Sequence, residues 1–492
     1  MFLLSSLLLA TAVSAATLDE AKKAIGQVPD CCSVLNSLLP GKVLIPDTNA
    51  YNASIDLYWS GRVNDITPAC TVLPGNAEDV STAVKVLNAG FRASIKGCQF
   101  AIRSGGHTAF EGANNIEGGV TIDLGNLTTL QLSADKSQAA VGPGLRWKEV
   151  YGPLQAMNLT VMGGRSPSVG VGGGLSYFAS QYGMGIENIL NMEVVLSSGK
   201  IVNANPTTNA DLFKALKGGS NNFGIVTRFD LRVVPQGLGW GGTVVQLGFT
   251  NLLSQFSHIE HFTANTDKLS QLDFIFGWSG GREIIAPFLT YSDPVTEVPE
   301  CFKNFTGYEG QIDNTRVAPL LDLVQDMYSA DGRRQAAATQ TFVNSAVMFT
   351  EYFTLFNATA QTLISAIPGM NFVASFQPLP LALSQVKNAP GNFLGLEKED
   401  GDLVIVNNVA TWDSVEDDAF VLGEMKKLNE AALERARVLG FYSGYIFANT
   451  AEYWQNPYPG RGEENLRAMK EISMKYDPVQ LFQKAVPGGY KL

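Results

Sequence analysis

The alternation of hydrophobic and polar positions changes period several times along this chain, and each change marks an element. MFLLSSLLLATAVSAATLDE opens it, apolar from Phe2 to Ala10 and small around Ala12 to Ala16. A short apolar run followed by small residues is the pattern of an export signal, here residues 1–15. A membrane span needs about 20 apolar residues, more than this run holds. Residues 18–39 read as a helix carrying Cys31 and Cys32. CTVLPGNAEDVSTAVKVLNAG then predicts a β run, a turn and a helix with Val80, Val84 and Leu87 on one face. Glu78 and Asp79 sit at its start, where the helix dipole favours negative charge. β runs are expected at 100–103 and 119–124, and ILNMEVVLSSGKIVNA alternates as a hairpin turning at Ser198 and Gly199. PQGLGWGG, residues 235–242, reads as a linker. Beyond it VVQLGF, LDFIFGW, NFVASFQP and DLVIVNNVATW are expected strands, alternating with helical runs near 253–264, 319–327 and 419–439. The pattern is α+β.

Composition narrows the class. The chain has 492 residues, 45% hydrophobic and 16% charged, which suits a globular protein of two or three domains. A net charge of -11 without any basic block excludes a phosphate-backbone partner. No later segment is apolar enough to span a membrane, so a soluble, exported monomer is expected. Sequons at Asn52, Asn126, Asn158, Asn304 and Asn357 agree with export as candidate glycan acceptors. The five cysteines show no CxxC spacing, which argues against a zinc cluster or thioredoxin-like site. In an oxidising compartment, one of Cys31 or Cys32 is expected to pair with Cys70 or Cys98, leaving Cys301 free.

Candidate chemistry rests on glycine. Gly170-x-Gly172 is followed by Leu175 where a Rossmann fingerprint needs its third glycine, and no acidic residue stands about twenty positions on. No Walker loop occurs. His258 and His261 lie one helical turn apart but lack a third ligand, so no metal is expected. Three glycine-dense loops remain: RSGGH ending at His107, GGRSPSVGVGGG from Gly163, and KGGSNNFGIVT from Lys217. Glycines let backbone N–H groups turn inward as a nest for pyrophosphate oxygens, and one extended dinucleotide would explain three such loops. His107 is one of three histidines in the chain and stands directly behind a glycine pair.

The stretches RSGGHTAFEG, GGRSPSVGVGGGLSYFASQYG, ALKGGSNNFGIVT and YDPVQLFQKAVPGGYKL, in this order, resemble the fungal berberine bridge enzyme-like FAD-linked oxidoreductases. These belong to the vanillyl-alcohol oxidase (p-cresol methylhydroxylase) superfamily. The likeness runs from about Cys31 to the C-terminus, carried in the second domain by PGNFLGLEKEDGDL. It implies a two-subdomain FAD-binding domain at 30–236 (core about 66–236) and a substrate domain at 237–440, an antiparallel sheet backed by helices. Residues 441–492 would return to the FAD domain. It also implies a covalent 8α bond from His107 to the flavin. Where bicovalent members carry a cysteine, this chain has Ser166, so a single histidyl link is expected. Further FAD contacts are implied at Arg103, Ser104, Gly105, Gly106, Thr108, Ser168, Val169, Gly170, Gly172, Gly173, Gly174, Tyr182, Gly183, Gly224 and Val226. The expected chemistry is hydride removal from a substrate C–H bond while a base takes a proton. Asn449, Tyr453 and Tyr177 are the catalytic candidates, with Tyr445 and the acids of 397–402 also in view. Val169 resembles the oxygen-permissive members, which points to an oxidase releasing hydrogen peroxide. The substrate would be a fungal natural product or a sugar; the rival is a flavin-carrying binding protein with negligible turnover.

Overall fold

The computed structural model describes residues 30–172, 174–327, 331–384 and 390–492, so the expected signal segment and Gly173 lie outside the described residues. Among the described residues the strands form three sheets. The first contains β1 (Val43–Leu44), β2 (Cys70–Val72), β3 (Phe100–Arg103) and β4 (Val120–Asp123), in the order β1-β2-β4-β3. β2 and β3 run parallel to β4 on either side. The helix Ala77–Arg92 carries the chain from β2 over to β3, the crossover that two strands running the same way require. Asn76 caps that helix by accepting from the Asp79 amide at 2.9 Å, and Val80, Val84 and Leu87 are buried on its inner face. A shorter helix, Cys31–Leu38, packs beside it, tied by the disulfide Cys31–Cys98 to the segment before β3 and by Cys32–Cys70 to β2. Cys301 is free.

The second sheet is antiparallel: β5 (Leu130–Leu132), β6 (Gln138–Val141), β7 (Leu159–Val161), β8 (Ile189–Val195), β9 (Ile201–Ala204) and β10 (Ile225–Pro235). Its order is β5-β6-β10-β8-β9, with β7 also pairing β10. The β8–β9 hairpin turns where the sequence places it, with Gly199 at φ +78°.

The third sheet runs β11 (Gly239–Leu247), β12 (Ser270–Ser279), β13 (Arg282–Tyr291), β14 (Ile312–Asp313), β15 (Arg316–Ala318), β16 (Arg334–Val343), β17 (Asn371–Leu379), β18 (Leu403–Trp412) and β19 (Tyr442–Ser443). The order is β14-β11-β13-β12-β17-β18-β16-β19, with β15 on β11. The helices Leu252–Ala264, Ala346–Ala366 and Asp418–Leu439 cover one face, and Phe256, Phe349 and Met425 bury there against Phe274, Phe376 and Val406.

One expectation is corrected. Pro235 ends β10 and Gly239 opens β11, so the linker shrinks to residues 236–238. The glycines are there for close strand approach: a Cβ on Gly241 would lie 2.4 Å from the Leu289 carbonyl. Asn357 sits inside the helix Ala346–Ala366 and is half-buried. Asn52, Asn126, Asn158 and Asn304 are exposed.

The C-terminal segment packs on the first two sheets. Leu481, Phe482, Ala485 and Val486 bury with Val72, Phe100 and Ile122, while Tyr458 and Met469 join the core of the second sheet. Among the described residues no helix is long and apolar enough to cross a membrane.

Candidate functional site

β3 ends at Arg103, and the chain turns through Ser104, Gly105 and Gly106, the last at φ +68°. The Arg103 side chain lies beside Gly106, its Nε 3.6 Å from where a Cβ there would stand. It donates to the Ser54 carbonyl at 2.7 Å, lies over the Tyr58 ring and pairs with Asp123, anchoring the strand end rather than offering a free charge. Ser104 Oγ donates to the Pro143 carbonyl at 2.5 Å. Thr108 is exposed. A Cβ on Gly105 would lie 2.6 Å from the Gly170 backbone, and one on Gly170 would lie 2.7 Å from the Gly105 amide nitrogen, so the two loops meet backbone to backbone.

His107 stands at this junction. Its ring stacks on Trp59 with centroids 4.2 Å apart and planes at 13°. The residue keeps some surface, but its Nε2 is enclosed and has no hydrogen-bond partner. Desolvation of the ring, with the positive charge of Arg146 adding to it, holds its pKa down at about 4. The imidazole is therefore neutral at ordinary pH. Trp59 is fixed in turn: its amide donates to the Gly106 carbonyl at 3.2 Å and its carbonyl accepts from Gly332 at 3.1 Å.

The second loop is held by a tryptophan. Trp147 donates its amide to the Val169 carbonyl at 3.0 Å, and its ring fills the space a side chain on Gly163 or Gly164 would need. Ser166 and Ser168 hydroxyls lie 3.2 Å apart. Val169 is partly buried, and Gly172 has open space beside it. Gly174 and Gly183 take φ of +107° and +80°. The Tyr182 carbonyl accepts from Asn188 at 2.9 Å. Gly224 has a packing reason, since a Cβ there would meet Val194 at 2.6 Å; Val226 follows on β10.

The catalytic candidates separate. Asn449 reaches the second loop, its Nδ2 3.5 Å from where a Cβ on Gly174 would stand. The Tyr177 hydroxyl donates to the Arg165 carbonyl at 2.6 Å, and burial pushes its pKa well above the usual phenol value. Tyr453 is 60% exposed, edge-on to Trp454. Tyr445 is buried and pushed up to about 12. The 397–402 acids serve structure: Glu397 accepts from Asn465 at 3.1 Å, Glu399 from Ser443 at 3.2 Å and Asp402 from the Leu381 amide at 2.8 Å.

Sequence reasoning missed a buried pair, Arg165 and Asp273, at 3.4 Å. Arg165 precedes Ser166 in the second loop, while Asp273 stands on β12 of the third sheet. The available signal was Gln271 and Asp273 at alternate positions in QLDFIF, polar where the helix-covered face is aromatic. A groove of about 790 Å³ between the start of the helix Ala77–Arg92 and strands β5 and β6 carries none of these residues.

A family profile described as an FAD binding domain matches residues 68–205. The FAD-dependent monooxygenase sdcF of Emericella nidulans is 34% identical over 478 residues, covering 94% of this chain and 98% of that protein. The fold is shared with wild-type BBE-like 1 of Physcomitrella patens, at TM-score 0.75 and 17% identity over 93% of this chain and 99% of that one. It is shared also with berberine bridge enzyme from Eschscholzia californica, at TM-score 0.70 and 14% identity over 94% and 99%. The chain belongs to the FAD-dependent oxidoreductases of which the Emericella nidulans protein is a member, and it has the fold of the berberine bridge enzyme-like proteins.

The residues of this FAD-linked oxidoreductase fit the cofactor. The enclosed, unpaired Nε2 of His107 lies where the family's glycine loops converge, and the loops carry glycine where any side chain would block their approach. The Val169 and Val171 amides donate to the Ser166 and Leu145 carbonyls at 3.4 and 3.2 Å, so the amides suited to phosphate oxygens are those of the Ser104–Gly106 turn and of Gly170 and Gly172 beside it.

Proposed function

We propose that this chain is an exported oxidase carrying FAD on one covalent bond to His107. The observation that supports it is the neutral, enclosed imidazole of His107, stacked on Trp59 with an unpaired ring nitrogen. A neutral imidazole is the nucleophile such a bond needs, and an imidazolium is not. Ser166 offers a hydroxyl where a second, thioether bond would need a thiol. When bound, FAD supplies the two-electron acceptor for a hydride leaving a substrate C–H bond. Asn449, beside Gly174, orients groups at the second loop, and the open face of the third sheet walls off the reacting space from water. Val169 packs partly buried against the core of the second sheet, and a longer side chain there would take up room that O2 needs, since interiors are close-packed. The leader-like residues 1–15, two disulfides and four exposed sequons support export.

Acid-precipitated protein is expected to keep its yellow colour and to yield one flavin-bearing peptide, which contains His107. His107→Ala abolishes that signal, and Val169→Ile slows reoxidation in stopped-flow mixing with air-saturated buffer. Flavin on another residue, or on two peptides, overturns the assignment. The name of the Emericella nidulans relative favours a second reading, in which one oxygen atom enters the substrate. Turnover under oxygen-18 separates the two: label in hydrogen peroxide alone means oxidase, label in the product means monooxygenase.

A further inference from the structure

Strand side chains alternate between the two faces of a sheet. Phe274, Phe276, Phe372, Phe376, Val404 and Val406 enter the helix-covered core of the third sheet. The register lines up the opposite set in rows. Ile275 pairs with Ser375, Ser375 with Asn407 and Asn407 with Thr339; the next row reads Gly277, Val373, Val409 and Ala337. Ile275, Val373 and Val409 are only partly buried, and they join no hydrophobic cluster among the described residues. They form a flat aliphatic strip.

Beside the strip stand unpaired acceptors. Gln271 Oε1, Asp273 Oδ1 and Gln377 Oε1 are enclosed without a hydrogen-bond partner, in side chains only 4%, 5% and 4% exposed. Arg165 Nη1 is an enclosed donor in the same state, while its Nη2 holds Asp273 at 3.4 Å. Each unmet buried polar group costs about 1–3 kcal/mol, so three acceptors beside one strip are poised for a ligand that donates. Gln377 keeps its orientation by donating to Ser375 Oγ at 2.9 Å. Burial pushes the Asp273 carboxyl up while Arg165 and Ser375 pull it down.

We propose that the strip and its acceptors bind a flat, hydroxylated aromatic ring system, with Asp273 and Gln377 accepting hydrogen bonds from its hydroxyl groups. A planar ring covers Ile275, Val373 and Val409 with its face, and its in-plane hydroxyls reach the acceptors at the edge. A sugar is the weaker fit because it wants aromatic platforms. Trp240 and Trp412 are buried in the helix-side core and Trp278 packs against it, leaving the strip aliphatic. The inference rests on the reading of a flavin at His107, since Arg165 joins the acceptors to the Ser166 loop.

Calorimetric titration of the holoenzyme with 2,7-dihydroxynaphthalene, 2,7-dimethoxynaphthalene and cellobiose tests it. The dihydroxy compound is expected to bind about tenfold more tightly than the dimethoxy one, the scale of one buried hydrogen bond. Asp273→Asn should weaken it by about tenfold, and Gln377→Leu by about fivefold, with flavin content unchanged. Val373→Phe, which fills the strip, should abolish binding. If Asp273→Asn fails to fold because Arg165 is left unpaired, the Gln377 and Val373 variants decide. Equal binding of the two naphthalenes, tighter binding of cellobiose, or unaltered affinity in the Gln377 and Val373 variants overturns the proposal. A gel without covalent flavin, in a protein that still binds the dihydroxy ring, sinks the His107 reading and leaves this one standing.

Discussion

His107 owes its proton affinity to its surroundings: the packed ring of Trp59, the enclosed Nε2 and the nearby guanidinium of Arg146. If the stack holds the imidazole for bond formation, Trp59→Ala should lower the acid-stable flavin fraction severalfold and Trp59→Phe should restore most of it. In-gel fluorescence at equal protein load reads both, and an unchanged fraction in Trp59→Ala refutes the role. The same desolvation makes a pH prediction. An unfolded histidine titrates near 6.5, whereas His107 in the fold titrates at about 4. Below pH 6.5 the unfolded chain takes up a proton that the native one refuses. Stability is therefore lost as pH falls from 6.5 to 4, by up to ~3 kcal/mol. In protein expressed without flavin, urea unfolding at pH 7 and 4.5 should show a larger loss for wild type than for His107→Gln. His107 was legible because a scarce residue follows a glycine pair. Asp273 was not, because its partner Arg165 belongs to a different loop far along the chain.

Elements stand or fall on what they pack against. The eight-residue helix Cys31–Leu38 is too short to persist alone. Its disulfides hold it to Cys98 and β2, and replacing Cys31 and Cys98 by serine should cost ~2–4 kcal/mol in thermal unfolding under oxidising conditions. Gly90 lets the helix Ala77–Arg92 approach that bridge: a Cβ there would lie 2.4 Å from the Cys98 sulfur and 2.5 Å from that of Cys31. Gly90→Ala should lower Tm clearly, and an unshifted Tm would mean that the bridge moves freely. The helix Ala346–Ala366 escaped the sequence reading for a physical reason. Its many Thr, Phe and Tyr residues have weak helix preference, and only burial of Phe349, Tyr352, Phe356 and Leu363 beneath the sheet favours the helix. Their three- and four-residue spacing was the signal available.

At the scale of the molecule, three distant parts of the chain meet at one buried ion pair. Arg62, from the N-terminal part, bonds Glu452 of the C-terminal segment at 3.0 Å and the Gln335 carbonyl of β16 at 3.3 Å. Glu452 is fully buried. Glu452→Gln leaves the guanidinium unpaired and should cost ~3–5 kcal/mol in urea unfolding, while a double Arg62→Met, Glu452→Met variant should recover most of it. Equal losses in the single and double variants would show that the pair itself, and not the stranded charge, matters. The same segment is tied down further on, where Tyr490 donates to the Ala451 carbonyl at 2.5 Å and Lys491 to Asn221 at 3.2 Å.

The sequence by itself determined what depends on near neighbours. The glycine loops, the place of His107 behind one of them, the β8–β9 hairpin, β3 and the helix Ala77–Arg92 all follow from residues a few positions apart. Those spacings set backbone freedom, amphipathic period and capping without help from the rest of the fold. Tertiary structure decided the rest. Cys31 and Cys32 were equivalent in sequence until the orientation of their helix brought one to Cys98 and the other to Cys70. The strip of Ile275, Val373 and Val409 exists only once three strands have taken their register, because a one-residue slip would turn those side chains into the helix-covered core.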